Sequence, residues 1–355
     1  MRSDVVIDGL QYNNWDRALF QKTRDGGVHV VHVTVSYWED FRETLLKITQ
    51  WHRHFVNHGD LIMPVKTAAD VLEAQRSNRL GIVFGFQNCS PINDDLGLVQ
   101  VLHELGARFM QLSYNNQSLL ATGCYEDDDP GITRFGKQVI QEMNRVGMVI
   151  DMSHSAERST LHAIELSSRP IAVTHANPAF FHPALRNKSN TVIDALAESG
   201  GMLGLSLYPF HLKNGSACTL QSFCEMIEQT VERIGIDQLG IGSDLCQNWG
   251  YDTLEWMRSG RWTFVADHGE GSAADQCWPD QPEWFQSASD LPNIKAGLAQ
   301  RGFSEVDINK IMGSNWLRFF EASFGPPQPQ TLSSPRAKPN YRSFDPRTRC
   351  HWGGL

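Results

Sequence analysis

Three residues able to bind a metal or move a proton stand at the ends of apolar runs. His154 closes MVIDMSH (148–154), His175 closes IAVTH (171–175) and Asp244 closes LGIGSD (239–244). Two imidazoles and a carboxylate with one position left open make a ligand set for a hydrolytic zinc or similar ion, which lowers the pKa of the water it binds. A histidine at a strand end is, by itself, more often a hydrogen-bonded structural residue, so the weight lies in the three together. A fourth run, GIVFGFQN (81–88), stops at Gln87, an amide where a metal enzyme would want a carboxylate. Among the cysteines, Cys246, two residues beyond Asp244, is the one best placed to react.

These residues need elements to position them. Eight short apolar runs recur: 5–10, 28–36, 81–87, 108–114, 148–154, 171–175, 202–209 and 239–244. Between most of them lie stretches with helical period, among them FRETLLKITQWHRHF, FGKQVIQEMNRVG and LQSFCEMIEQTVERIG. Gly106, Gly147 and Gly201 precede strands in the manner of helix C-caps. Apolar strands alternating with amphipathic helices predict an α/β fold with a parallel sheet covered on both faces, and eight such units predict a (β/α)8 TIM barrel. An open doubly wound sheet would carry a glycine-rich loop after its first strand, which DGLQYNNWD is not. In such a barrel the active site forms at the C-terminal strand ends. That rule gathers Leu10 to Tyr12, Ser36, Gln87, Ser113, Tyr114, His154, His175, Tyr208 and Asp244 at one mouth. Asp8 and Asp151, inside their strands, are expected to be structural partners within the barrel.

The barrel domain is expected over 1–325. Residues 250–290, rich in Trp, Asp and Gly with weak periodicity, read as a lid-like loop over the mouth, and 291–325 as two closing helices, with Ser304 and Asp307 starting the second. From Pro326 to Leu355 the chain is a Pro-rich tail, extended along the body or toward a second subunit.

The segments FGKQVIQEMNRVGMVIDMSH, IAVTHANPAFFHPALRN, ALAESGGMLGLSLYP, IGIGSD and SDLPNIKAGLAQRGFSEVDINKIMGSNWLRFF resemble, in order, the membrane (renal-type) dipeptidases, peptidase family M19 of the amidohydrolase-like barrels. The likeness runs from about residue 5 to 320. It implies two zinc ions sharing a bridging glutamate, with a His-x-Asp on the first strand and an Asp on the eighth for one ion, and two histidines for the other. It also implies an arginine for the substrate carboxylate and a fourth-strand histidine near the scissile bond. This chain keeps His154, His175, Asp244 and Arg186, the last in HPALRN with two extra residues. Elsewhere it departs: Leu10 and Tyr12 replace the His-x-Asp, Gln87 the bridging glutamate, and Tyr114 the fourth-strand histidine.

Leucine donates no electron pair, tyrosine is neutral below a pH of about 10, and an amide does not readily bridge two cations. The resemblance and its departures therefore imply at most one divalent ion, zinc by analogy, on His154, His175 and Asp244, unless Asp244 serves instead as general base. The expected catalytic residues are Asp244, Tyr114 and Gln87, and the expected substrate contacts Arg186, Tyr208 and Tyr12. Arg186 either binds a carboxylate or pairs with an acidic loop; Tyr12 and Tyr114 either donate to an oxyanion or fill vacated space. The leading expectation is a hydrolase of a dipeptide or N-substituted amino acid. The alternative is a metal-free acid–base enzyme, of isomerase or lyase type, or a non-catalytic binder of an amino-acid-like carboxylate.

The net charge of −9 and pI near 5.8 argue against nucleic-acid or anionic-membrane partners and leave a small molecule bearing a carboxylate. No secretory leader or membrane span is visible, and the seven cysteines form no CxxC pair, so a reduced, cytoplasmic protein is expected. By resemblance it is a homodimer.

Overall fold

The computed structural model describes residues 4–261, 268–271 and 277–325. Among them are nine strands: β1 (Ile7–Gln11), β2 (Val30–Ser36), β3 (Ile62–Pro64), β4 (Leu80–Phe86), β5 (Ala107–Gln111), β6 (Val149–Asp151), β7 (Ala172–Val173), β8 (Met202–Leu205) and β9 (Leu239–Ile241). All pairings between them are parallel. β1 lies between β2 and β9, and β2 pairs with β4, so that eight strands close on themselves while β3 lies beside the start of β4. The fold is a (β/α)8 TIM barrel. Its eight strands fall on the eight apolar runs of the sequence; β3 has no apolar period of its own, being three residues ending in an exposed proline.

The helices between strands start and stop where their caps dictate. Phe41–Asn57 opens on a reciprocal Asp40–Glu43 capping box. Arg134–Val146 opens on the Thr133 side chain and ends at Gly147, whose φ of 86° is left-handed and turns the chain into β6. After Asn190–Glu198 the left-handed residue is Gly200, not Gly201, one residue earlier than the sequence pattern indicates.

At the N-terminal strand ends the floor is closed by Trp316, fully buried, whose indole Nε1 donates to the Ile241 carbonyl at 2.9 Å. Gly9, Gly204 and Gly240 make room for that ring; a Cβ on Gly9 would come within 2.6 Å of it. The tryptophan arrives on the last of the closing helices, Asn315–Ser323, which follows a kink at Gly313. Ser304 caps the preceding turn by accepting from Asp307 N.

Residues 250–290 are not all loop: Tyr251–Ser259 is a helix, with Leu254 as its one buried residue, too short and too polar to show a clear period. Residues 262–267, 272–276 and the Pro-rich tail from 326 lie outside the described residues. No helix among those described is long and apolar enough to cross a membrane.

Candidate active site

A cavity with about 70 Å³ of room for water-sized molecules opens at the C-terminal strand ends. Gln87, Tyr114, His154, Arg186, Tyr208 and Asp244 all line it, each from just beyond a strand or, for Arg186, from the loop after β7. His175 does not reach the wall. It is fully buried behind His154, with the two Nε2 atoms 3.0 Å apart.

Hydrogen bonds fix the protonation of this pair. Thr174 donates its hydroxyl proton to Asp151 Oδ2 at 2.6 Å, so Thr174 Oγ1 accepts from His175 Nδ1–H at 2.8 Å, leaving His175 Nε2 bare. Gln87 donates its amide to Thr34 Oγ1 (2.8 Å) and Tyr37 Oη (2.9 Å), so its Oε1 faces His154 Nε2 at 2.8 Å as an acceptor. His154 therefore carries its proton on Nε2 and shares it between Gln87 Oε1 and His175 Nε2. Its Nδ1 lies 2.6 Å from Asn115 Oδ1, an acceptor, so this tautomer requires the Asn115 amide turned to present Nδ2 instead. Burial, with Arg186 next in weight, holds both imidazoles well below their usual pKa, so both are neutral. Asp151 accepts from Gln111, Ser153 and Thr174, and Asp8 from Gln11 and Ser243, each buried inside the barrel. Gln11 is turned to Asp8 and Asn13, away from the mouth.

Asp244 is a buried carboxyl on the wall. It holds a left-handed φ of 56° and its carboxyl is raised from 3.8 to about 7. Burial is the main cause and Arg186 opposes it, while Asp8 and Asp151 add to it. A carboxylate titrating near neutrality is matched to taking and returning a proton. Burial keeps Tyr114 and Tyr208 protonated, as donors. Burial and Asp244 together keep the Cys246 thiol protonated, which removes it as a nucleophile.

Arg186 is 2% exposed. It donates from Nη1 to the Ser153 carbonyl and from Nη2 to the His175 carbonyl at 3.2 Å. Among the described residues, the acidic loop meets Arg186 at its backbone, where N–H donates to Glu270 Oε1 at 3.0 Å, while Glu270 Oε2 accepts from Tyr125. Its guanidinium forms no ion pair with any described Asp or Glu.

Tyr12, expected at the substrate, is not on the cavity wall. It lies behind Tyr37, ring centroids 4.6 Å apart and edge-on, and stacks on Trp249 at 4.8 Å. With Trp38 and Tyr114 these rings form a small apolar cluster where the first-strand ligands would stand. Several wall residues carry no mark in the sequence. Tyr37 is one past the Ser36 strand end and is found by extending that rule. Tyr125, His211, Arg258 and Glu270 come from loops and a late helix, without a periodic signal.

The donor set does not fit a two-ion centre. Leu10 is fully buried and has no donor atom in its side chain, Tyr12 is buried in an aromatic cluster, and Gln87 spends its amide on Thr34 and Tyr37. Among the described residues no three His, Cys, Asp or Glu side chains are grouped so as to hold a metal ion, so His154, His175 and Asp244 are not a ready ligand triad. What converges is two imidazole nitrogens and one amide oxygen, without an anionic ligand and short of the three protein ligands usual for catalytic zinc.

Comparisons with known proteins bear on the family and the fold. The sequence model of the membrane dipeptidase family (peptidase family M19) matches residues 13–254. An amidohydrolase of Pseudomonas aeruginosa superposes with a TM-score of 0.84 at 34% identity, covering 90% of this chain and 96% of that one. A metallopeptidase of Rhodobacter sphaeroides, liganded with a phosphinate mimic of the dipeptide L-Ala-D-Ala, superposes with a TM-score of 0.74 at 17% identity over 90% and 99% of the two chains, which establishes the shared fold. A dipeptidase of Claviceps purpurea is 25% identical over 280 residues, 78% of this chain; the match spans 59% of the fungal protein's own length.

Proposed function

This chain belongs to the membrane dipeptidase family, peptidase family M19, and from that premise we propose that it hydrolyses a small amide, a dipeptide or an N-substituted amino acid, bearing a carboxylate. One observation supports the reading above others: Gln87, Tyr114, His154, Arg186 and Asp244 face a single small cavity at the strand ends. At most one divalent ion, zinc first, is compatible with the donors present, and no step here runs through it.

In this reading Arg186 orients the substrate through a carboxylate, with the planar fork that suits such a group. Asp244 takes a proton from water as the water oxygen attacks the amide carbon. Tyr114 Oη–H, protonated and on the wall, donates to the oxygen on which negative charge develops. Asp244 then returns its proton to the departing nitrogen as the C–N bond breaks. His175 and Gln87 act through His154, fixing its tautomer and ring plane, and so are positioning residues.

The test is release of free amine from a panel of dipeptides and N-acyl amino acids by wild type, Tyr114→Phe and His175→Ala, with metal content measured on each. The expected outcome is turnover by the wild type and a loss of at least about 100-fold in kcat/KM for Tyr114→Phe, as for removal of a donor to the developing oxyanion. Undiminished turnover by Tyr114→Phe refutes the assignment.

A further inference from the structure

Arg258 is a second guanidinium on the wall of the same cavity, and nothing in the hydrolytic scheme uses it. It comes from the helix Tyr251–Ser259, beyond the eighth barrel strand, on the side of the mouth facing the loop that carries Glu270. Its Nη1 is buried and has no hydrogen-bond partner among the described residues, and it forms no ion pair with any described Asp or Glu. His268, also on the wall, holds a buried Nδ1 in the same condition. The guanidinium is packed in place: a Cβ on Gly271 would lie 3.0 Å from its Nη2 and 3.2 Å from the Phe210 ring.

A structural arginine near the surface lays its stem on apolar residues and sends its charge to a carboxylate or to water. Arg258 does neither with Nη1. Arg186, by contrast, has acceptors for both terminal nitrogens in the Ser153 and His175 carbonyls. Glu270, one of the two carboxylates on the wall, is taken up by Tyr125 and the Arg186 backbone. The cavity thus holds two guanidiniums, with Asp244 as the one carboxylate not already occupied by a described donor.

We propose that Arg258, with His268 beside it, forms a second anion subsite, and that the preferred ligand is a small amide carrying two carboxylates, such as an acidic dipeptide or an N-acylated acidic amino acid. This rests on the hydrolase reading of the same cavity for its chemistry, but not for its binding. One carboxylate is held by Arg186 and the other by Arg258, and an isosteric neutral amide leaves the Arg258 donor buried and unpaired. Sites built to bond a polar group discriminate against analogues lacking it for that reason.

The experiment compares N-acetyl-L-glutamate with N-acetyl-L-glutamine by isothermal titration on the full chain, wild type, Arg258→Gln and Arg258→Lys. The glutamate compound is expected to bind at least about 10-fold more tightly to the wild type, the scale of one charged hydrogen bond. In Arg258→Gln that ratio falls toward one, and in Arg258→Lys, which keeps the charge, it largely survives. If the compounds are turned over, the kcat/KM ratio is read in the same way. Equal affinities in the wild type, no binding of either compound, or a ratio unchanged in Arg258→Gln overturns the subsite. Failure of the hydrolase reading shows itself separately, as absent turnover of every amide while the binding preference persists.

Discussion

Asp244→Asn separates function from stability at one atom. The native carboxyl is raised from 3.8 to about 7, chiefly by burial, so between those values the folded protein holds a proton that the unfolded chain has released. Stability therefore falls as pH rises from about 4 to about 7 and levels off above. Three pH units at about 1.36 kcal/mol each set an upper limit of about 4 kcal/mol on this cost, and about 2–4 kcal/mol is a realistic span. Asparagine keeps the volume, cannot ionise, and tolerates the left-handed φ of 56° at this position, so the exchange introduces no backbone strain of its own. Urea unfolding of both proteins at pH 4 and pH 8 is the assay. The variant is expected to be more stable than wild type at pH 8 by about 2–4 kcal/mol and nearly equal at pH 4, while kcat falls by about 100-fold or more. A stability difference of the same size at both pH values refutes the claim that burial of the charge is its source.

Two further outcomes follow from the same geometry. Gln87→Glu places an anionic oxygen beside His154 and His175 and supplies the ligand their site lacks; elemental analysis after zinc exposure and desalting should find more bound zinc in the variant than in wild type, and equal content would mean the amide is not what limits binding. Trp316→Ala empties the barrel floor between Gly9, Gly204 and Gly240 and removes the bond to Ile241; a loss of about 3–5 kcal/mol is expected in urea unfolding, and a loss below about 1 kcal/mol would show that the floor closes without it.

Much of the candidate site is legible from strand ends alone. Gln87, Tyr114, His154, Tyr208 and Asp244 each follow an apolar run, and the barrel rule brings them to one mouth, where the structure places them. The same rule placed Tyr12 there too, and it fails because Tyr37 from the neighbouring strand comes between Tyr12 and the cavity while Trp249 stacks on its other side. Arg258 and Glu270 lie in a stretch without period, so no spacing marks them. The helix Tyr251–Ser259 is hidden for a related reason, since it buries little against the barrel and needs no apolar stripe.

The sequence by itself determines the barrel, because eight near-continuous apolar strands separated by capped amphipathic helices can bury their faces in few other ways. It also shows, by resemblance to the family, that leucine, tyrosine and glutamine stand where ligands of a two-ion centre are expected: leucine has no donor atom, and the other two are neutral. Tertiary structure alone decides what replaces that centre. One proton shared among His154, His175 and Gln87 depends on distances of 2.8 and 3.0 Å between residues 67 and 21 positions apart in the chain. The elevation of Asp244 arises from burial, and the two guanidiniums meet at one cavity only after the chain has closed on itself.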